Sequence, residues 1–184
     1  MKTKYLLLLI LAFSFSRCQK GKRNPDSCNG KNTRREVKLA IDDLASLINT
    51  TPIITTVDSI GSFSVPEIDK ESTRQDVEKL VFSITAKVDK VKKHRDGDWK
   101  VKLTDGNDKY INCECPNPGC EYIVDSPFLT QIQAVRTWID NNGDDLEGKT
   151  ITITGIGFID IDHRYPRNAA ENEMELHPIL DIHF

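Results

Sequence analysis

The sequence predicts a mainly β domain with one helix inserted among its strands, and three patterns carry that prediction. Apolar and polar residues alternate through most of residues 79–104, which is the two-residue period of strands with one buried face. A helical period replaces it at residues 127–142, where apolar residues recur every three or four positions. The two-residue period then returns within residues 148–184.

The first three predicted strands are separated by short polar turns. Residues 79–89 alternate cleanly, and residues 98–104 repeat the pattern after a charged turn at residues 94–98. Asp-Gly-Asn-Asp at residues 105–108 is typical of a second turn. Residues 109–115 therefore form the third predicted strand.

A helix and two long strands complete the predicted domain. Ser126 is a typical N-cap and Pro127 suits the first helical position, so the helix is expected to begin there. Residues 148–162 form the fourth strand, and two glycines within it indicate a sharp bend or a bulge. Residues 173–184 form the fifth strand.

Three strands, a helix and two strands is the element order of the OB-fold, a five-stranded Greek-key barrel. Proteins of this fold usually bind ligands on the outer face of the second and third strands. The barrel is expected to span residues 79–184, after an amphipathic N-terminal helix at residues 33–49. Residues 50–78 are interpreted as a linker, although a short strand within them and their joining the barrel stay open.

The first residues of the chain predict export. Lys2 and Lys4 precede an apolar run that ends in small residues, as in a secretory signal peptide over residues 1–16. Residues 17–32 then begin the mature chain as a flexible segment, and the protein is secreted or periplasmic. Cys18 is a candidate lipidation site, which would anchor the protein to a membrane as a bacterial lipoprotein. The net charge of −3 becomes more negative when both lysines are removed, which argues against coating nucleic acid through bulk charge.

Cysteine usage fits an oxidising compartment. Of five cysteines, four remain if Cys18 carries a lipid, and an exported protein usually oxidises four cysteines into two disulfides. The candidates, whose pairing the sequence leaves open, are Cys28, Cys113, Cys115 and Cys120. A zinc site formed by the thiolates of residues 113–120 is the alternative.

Several blocks of the sequence resemble a group of exported bacterial proteins of unassigned function. The blocks are DGDWKVKL, CPNPGC, SPF, GKTITITGIGFIDIDH and ELHPILDI, and they fall within residues 79–184. This resemblance implies an OB-type barrel and no established activity. Lys100 stands where such sequences tend to have a histidine.

The block Asp96-Gly97-Asp98 also resembles the start of the secreted thermonuclease family, which has an OB-type barrel as well. That resemblance implies Asp98 and Asp125 as calcium ligands of a metal-dependent phosphodiesterase. Such hydrolysis needs a carboxylate base and arginines that contact the phosphate. Phe128 stands where the base should follow the proline, and residues 105–124 contain no arginine, so a metal-dependent hydrolase is only the alternative function.

Basic residues concentrate in the segments that are expected to frame the ligand cleft of the barrel. Cations with an aromatic residue among them suit phosphate neutralisation and the stacking of a base or sugar. The candidate ligand-binding residues are Lys92, Lys93, Arg95, Lys100, Lys102, Arg164, Tyr165 and Arg167. Aspartates lie among these residues, so ordinary solvated turns are the alternative interpretation.

Carboxylates and an imidazole near the end of the chain form a second candidate cluster. Strands four and five are neighbours in an OB barrel, so these groups could hold a divalent cation, or could form cross-strand hydrogen bonds at the barrel rim. The candidate metal ligands are Asp160, Asp162, Glu175 and His177.

These patterns together predict an exported, non-enzymatic OB-type binding module of the bacterial cell envelope. An anionic or carbohydrate ligand is expected, with an anionic polymer or glycan as the partner. No catalytic residue and no cofactor are predicted, and a divalent metal belongs to the hydrolase alternative.

Overall fold

Six strands and three helices form the architecture in the computed structural model, which describes Cys28 and residues 33–161 and 170–184. The strands are β1 Asn49–Thr55, β2 Leu80–Lys93, β3 Trp99–Thr104, β4 Tyr110–Cys115, β5 Thr150–Ile159 and β6 Met174–His183. The helices are α1 Arg35–Lys38, α2 Val57–Gly61 and α3 Leu129–Asn142. Short 3₁₀ turns cover Ala45–Leu47, Asp76–Lys79, Glu121–Ile123 and Gly143–Asp145.

Five of the strands close into a barrel. The sheet order is β1-β2-β3-β4-β6-β5, and β2 also pairs with β5, which closes the ring from β2 to β5. The β4–β6 pair is parallel, whereas β2–β3, β3–β4, β2–β5 and β5–β6 are antiparallel. The predicted OB-type barrel with a helix between its third and fourth strands is therefore confirmed, with α3 as that helix.

The barrel interior is filled by the alternating apolar residues that predicted the strands. Ile84, Val101, Leu103, Ile111 and Ile153 are all fully buried, each from a position of the two-residue period. Helix α3 covers one end of the barrel with an apolar stripe at helical spacing, which buries Ile132, Val135 and Ile139.

The two glycines of β5 lie where the barrel wall bends. The register of β5 against β6 shifts on both sides of Gly155, between Thr154 and Gly157, as expected for a bulged strand. A Cβ atom on Gly157 would lie 2.8 Å from both the Val77 carbonyl oxygen and a Phe82 ring carbon. Only glycine lets these backbones approach so closely.

Strand β1 lies in the segment that the sequence left open between a linker and a strand. It pairs in parallel with β2 and extends the sheet as an edge strand. The linker interpretation is therefore wrong for residues 50–55, which join the sheet together with Asn49. Their outer side chains stay exposed, so no buried face imposes a clear two-residue period: Ile54 is 90% exposed.

The N-terminal helix is much shorter than the helix predicted over residues 33–49. Only Arg35–Lys38 is α-helical, and Ala40 adopts a left-handed backbone with φ of 54°. Three carbonyl groups that a longer helix would use internally have tertiary partners instead. The Val37 carbonyl accepts a hydrogen bond from Arg74. The Lys38 carbonyl lies 3.0 Å from a ring nitrogen of His177, and the Leu39 carbonyl accepts a hydrogen bond from Ser126. Tertiary contacts thus override the helical propensity of this segment.

A buried ion pair fixes this N-terminal segment to the barrel. The Arg34 guanidinium donates to both carboxylate oxygens of Glu78, at 2.8 and 2.6 Å. It also donates to the carbonyl groups of Ser72, Thr73 and Ile159. Because these partners come from separate parts of the chain, Arg34 joins three segments at one point.

One disulfide is present among the described residues, where the sequence favoured two. Cys28 and Cys120 are bonded, with their Cα atoms 5.6 Å apart, whereas Cys113 and Cys115 are free and buried. The second disulfide is wrong because Cys113 and Cys115 are alternate residues of one strand whose side chains point the same way. Their Cβ atoms therefore stand roughly 6.6 Å apart, whereas a disulfide needs about 4 Å. The bond also removes Cys120 from the alternative zinc site, since its sulfur is not a thiolate.

Candidate functional site

Four lysines and a histidine line a groove on the outer face of β2 and β3. Lys90, Lys92, His94, Lys100 and Lys102 surround a cavity of about 230 Å³. In the order of an OB barrel these are the first two strands, so the groove includes part of the face where proteins of this fold usually bind ligands. We call this feature the lysine groove.

The lysines of the groove oppose one another in register. Lys92 pairs across the strands with Lys100, and Lys90 pairs with Lys102. Like charges that lie directly opposite on neighbouring strands destabilise a sheet, by roughly 0.2–1 kcal/mol for each pair. These two adjacent lysine pairs therefore reduce the stability of the sheet, and side-chain packing does not explain why they are present.

A bulge in β2 produces this arrangement. The register against β3 shifts between Val88 and Lys90. Before the bulge, even-numbered residues such as Val88 face the core. After it Val91 faces Val101 in the core, so that Lys90 and Lys92 face outward.

The groove lysines differ in how they are held. Lys100 Nζ lies 2.7 Å from Glu114 Oε1, and Lys102 forms an ion pair with Asp89. Lys90 and Lys92 are exposed and form no ion pair within the described part of the chain. The groove therefore has two anchored cations at its base and two that are open to a ligand.

His94 extends the groove toward the β2–β3 turn. Burial, with further contributions from Lys100 and Lys92, lowers the pKa of His94 below its usual value. The ring is therefore neutral at neutral pH, and it adds a hydrogen-bond donor without adding another repelling charge.

The predicted ligand residues are brought together only in part. Lys92, Lys100 and Lys102 line the groove, whereas Lys93 lies with its Nζ 5.5 Å from the centre of the Trp99 ring. Arg95 is exposed in the turn that follows β2. Arg164, Tyr165 and Arg167 lie outside the described residues, as do the predicted signal peptide and Cys18.

The candidate ligand residues left out Lys90 and His94, although His94 lies in the basic segment that was expected to frame the cleft. Both follow the same two-residue spacing as Lys92. This signal was visible, but the strand was expected to end at residue 89, and the bulge that turns these residues outward could not be predicted.

A cluster of buried polar groups adjoins the groove on the outer face of β4 and β6. Ligand atoms of Asp98, Glu114 and His177 all lie within 4.8 Å of one another, and the three residues are buried. His177 Nε2 is 3.4 Å from Glu114 Oε2 and 4.0 Å from Asp98 Oδ2. His177 Nε2 has no hydrogen-bond partner in the described structure.

The charged turn predicted between the first two strands positions Asp98. His94 and Asp98 are joined by a backbone hydrogen bond of 2.8 Å, and Gly97 has a φ of 92°, which favours glycine. Arg136 of α3 donates to the Gly97 carbonyl at 2.7 Å. The stretch is therefore a hairpin turn whose last residue is directed into the buried cluster.

Burial and mutual repulsion raise the pKa of two carboxyl groups here, that of Asp98 in the cluster and that of Glu175 outside it. Burial, then Asp96 and Glu114, raises the pKa of Asp98 to about 7. Burial and Glu114 also raise the pKa of Glu175 to about 7. Burial lowers the pKa of His177, so this ring is neutral at neutral pH.

Two lysines offset part of this negative charge. Burial opposes ionisation of Glu114, but Lys38 and Lys100 hold the pKa of its carboxyl below the usual range. Lys38 projects from α1 above the cluster, with its Nζ 4.9 Å from the centre of the Phe158 ring. Lys100 belongs both to this cluster and to the lysine groove.

The predicted metal ligands are only partly brought together. His177 lies in the three-residue group, whereas Asp160 and Glu175 are outside it and Asp162 lies outside the described residues. Glu175 and His177 were expected on a solvent face but are buried, because the N-terminal segment covers this part of the barrel. Asp125, the second ligand implied by the thermonuclease resemblance, is exposed and does not belong to the group.

Two larger clefts lie elsewhere on the described surface. One, of about 590 Å³, is lined by both acidic and basic residues near Arg34 and Arg74, which already form buried or partly buried ion pairs. The other, of about 620 Å³, has several acidic residues in its walls, among them Glu67, Asp160 and Glu171. Neither cleft concentrates cations as the lysine groove does.

Comparisons with known proteins identify no family. No protein-family model matches the chain, and no curated protein matches it. A structural match is asparaginyl-tRNA synthetase of Entamoeba histolytica in complex with asparaginyl-adenylate, with 16% sequence identity and a TM-score of 0.39. The match covers 72% of this chain and 23% of that enzyme, and at this similarity it carries no argument about function.

The described part of the chain contains no helix that is both long and apolar enough to span a membrane.

Proposed function

We propose that this chain is an exported, non-enzymatic OB-type module that binds an anionic polymer or glycan in the lysine groove. The observation that carries the proposal is the pair of like-charged cross-strand contacts, Lys90 with Lys102 and Lys92 with Lys100. An arrangement that costs stability and is directed into a groove is explained by a ligand that neutralises it. The signal-peptide pattern and the Cys28–Cys120 disulfide support the proposed export.

The negative net charge of the chain does not oppose this function. Charges separated by more than about 10 Å are largely screened at 0.1 M salt, so a ligand in the groove experiences mainly the local cations. Asp89 and Glu114 neutralise Lys102 and Lys100 in part, which leaves Lys90 and Lys92 as the main attraction. Binding should therefore be modest in strength and sensitive to salt.

Binding by fluorescence anisotropy tests this proposal. A labelled single-stranded oligonucleotide and a labelled sulfated glycan are titrated with the chain at about 50 and 200 mM salt, a range over which phosphate contacts weaken strongly. We expect at least one of them to bind at low salt. If Lys90 and Lys92 contact a single strand, log Kd should change with log salt by a slope of about 1.4 in magnitude. A neutral glycan of similar size is the control. Failure of both anionic ligands to bind at low salt, or binding that salt does not change, would refute the proposal.

A further inference from the structure

We propose that Asp98, Glu114 and His177 form a binding site for one Zn²⁺ ion beside the lysine groove. The three ligand atoms come from the end of the β2–β3 turn, from β4 and from β6, and they converge from three directions. One imidazole nitrogen and two carboxylate oxygens form a donor set that suits zinc better than calcium or magnesium, which prefer oxygen alone.

The distances suit a small ion. Two donors of a tetrahedral ion with bonds of about 2.1 Å stand about 3.4 Å apart. His177 Nε2 and Glu114 Oε2 are 3.4 Å apart, which matches this value. Asp98 Oδ2 is 4.0 Å from the same nitrogen and the three ligand atoms lie within 4.8 Å of one another, so Asp98 would have to move toward the other two ligands to complete the geometry.

Each ligand is held by a partner on its other polar atom. The Lys38 carbonyl lies 3.0 Å from His177 Nδ1 and can only accept, so Nδ1 carries the proton and Nε2 presents a lone pair. Lys100 Nζ contacts Glu114 Oε1, and the Asn117 backbone N–H donates to Asp98 Oδ1 at 2.9 Å. Outer partners of this kind orient metal ligands in proteins.

When the two carboxyl groups are ionised, the remaining atoms of the three ligands are all acceptors, and they face one another. His177 Nε2, which has no hydrogen-bond partner in the described structure, lies 3.4 Å from Glu114 Oε2 and 4.0 Å from Asp98 Oδ2. Lys38 contributes positive charge from a distance, but its Nζ forms no ion pair with these carboxylates. Two buried carboxylates and an imidazole lone pair that converge in this way favour a cation between them.

The site would act as a structural centre. Its ligands are buried, so substrate has no direct access to an ion held there. The ion would join the β2–β3 turn to β4 and β6, and through His177 it would also fix the backbone at Lys38. Binding of Zn²⁺ should therefore raise the melting temperature of the chain.

Zinc affinity of the intact, metal-stripped chain tests this inference, measured by competition with a chromophoric chelator. Asp98→Asn and His177→Gln remove ligand atoms, and Asp98→Asn keeps the acceptor for the Asn117 N–H, which favours retention of the fold. Matched controls are Asp125→Asn and His183→Gln, which make the same changes at exposed positions. His183 Nδ1 lies 2.8 Å from Asp181 Oδ2 at the surface, so His183→Gln also tests whether zinc binds to this exposed pair instead.

We expect one Zn²⁺ per wild-type chain, with affinity reduced at least about 100-fold in Asp98→Asn and His177→Gln and unchanged in both controls. Circular dichroism verifies the fold of each variant. If His177→Gln is unfolded, the zinc affinity of Asp98→Asn alone tests the inference. Absence of zinc binding by the wild-type chain, full affinity in folded Asp98→Asn, or loss of binding in His183→Gln would overturn the inference.

Discussion

Replacing Lys90 and Lys92 with glutamate should weaken binding of the anionic ligand at least about 100-fold at low salt. These two side chains are the exposed cations of the lysine groove. A hydrogen bond to a charged group contributes about 1.5–3 kcal/mol, and each 1.4 kcal/mol is a tenfold change in affinity. Loss of two such contacts, together with repulsion between the new glutamates and the anionic ligand, gives the expected weakening of binding by about 100-fold.

The same double substitution should leave the protein as stable as the wild type or more stable. A glutamate at position 90 would face Lys102 and one at position 92 would face Lys100, so two repulsive cross-strand pairs become attractive. In the matched control, Lys70 and Lys87, which are exposed outside the groove, are replaced with glutamate, so that both variants have the same net charge. Equal loss of binding in the control, or retained binding in the groove variant, would contradict the assignment of the groove.

Replacing Glu78 with alanine should lower the free energy of unfolding by about 3–5 kcal/mol, measured by equilibrium denaturation in urea. Removing one partner of a buried ion pair leaves the other charge uncompensated, and this is the usual cost. Glu78 and Arg34 are almost completely buried. Glu78 also accepts hydrogen bonds from the backbone N–H groups of Gln75 and Ile159, which would lose their partner.

The control for this prediction is Asp76→Ala in the same 3₁₀ turn. Asp76 pairs with Lys79, but its side chain is fully exposed, so its removal should leave the unfolding midpoint nearly unchanged. A cost for Glu78→Ala below about 1 kcal/mol, as for a surface pair, would show that the Arg34–Glu78 contact does not hold the N-terminal segment on the barrel.

The barrel could be predicted from sequence because its strands have one face in the core and one outside. That condition imposes the two-residue period, and it is met by Leu80–Val88 and by β3. Strand β1 does not meet it, since its side chains are exposed on both faces. The N-terminal segment has a helical period, but its carbonyl groups bind Arg74, His177 and Ser126, which are distant in sequence.

The candidate sites depend on features that a single sequence does not display. The β2 bulge reverses the faces of Lys90 and Lys92 relative to the preceding residues, so a continuous period would place them in the core. Glu114 and His177 meet because β4 and β6 pair in parallel, although they lie far apart in the chain. The sequence thus indicates which residue types are available, whereas the topology decides which of them meet.

Lysine footprinting tests the central claim, that the groove is the binding surface, most directly. The chain is acetylated briefly with and without the anionic ligand that binds in the anisotropy assay, and the modified lysines are quantified by mass spectrometry. We predict that the ligand slows modification of Lys90 and Lys92 several-fold and leaves Lys70 and Lys87 unchanged, because only the first two line the groove. Equal protection of all four lysines, or protection of Lys70 and Lys87 alone, would contradict the claim.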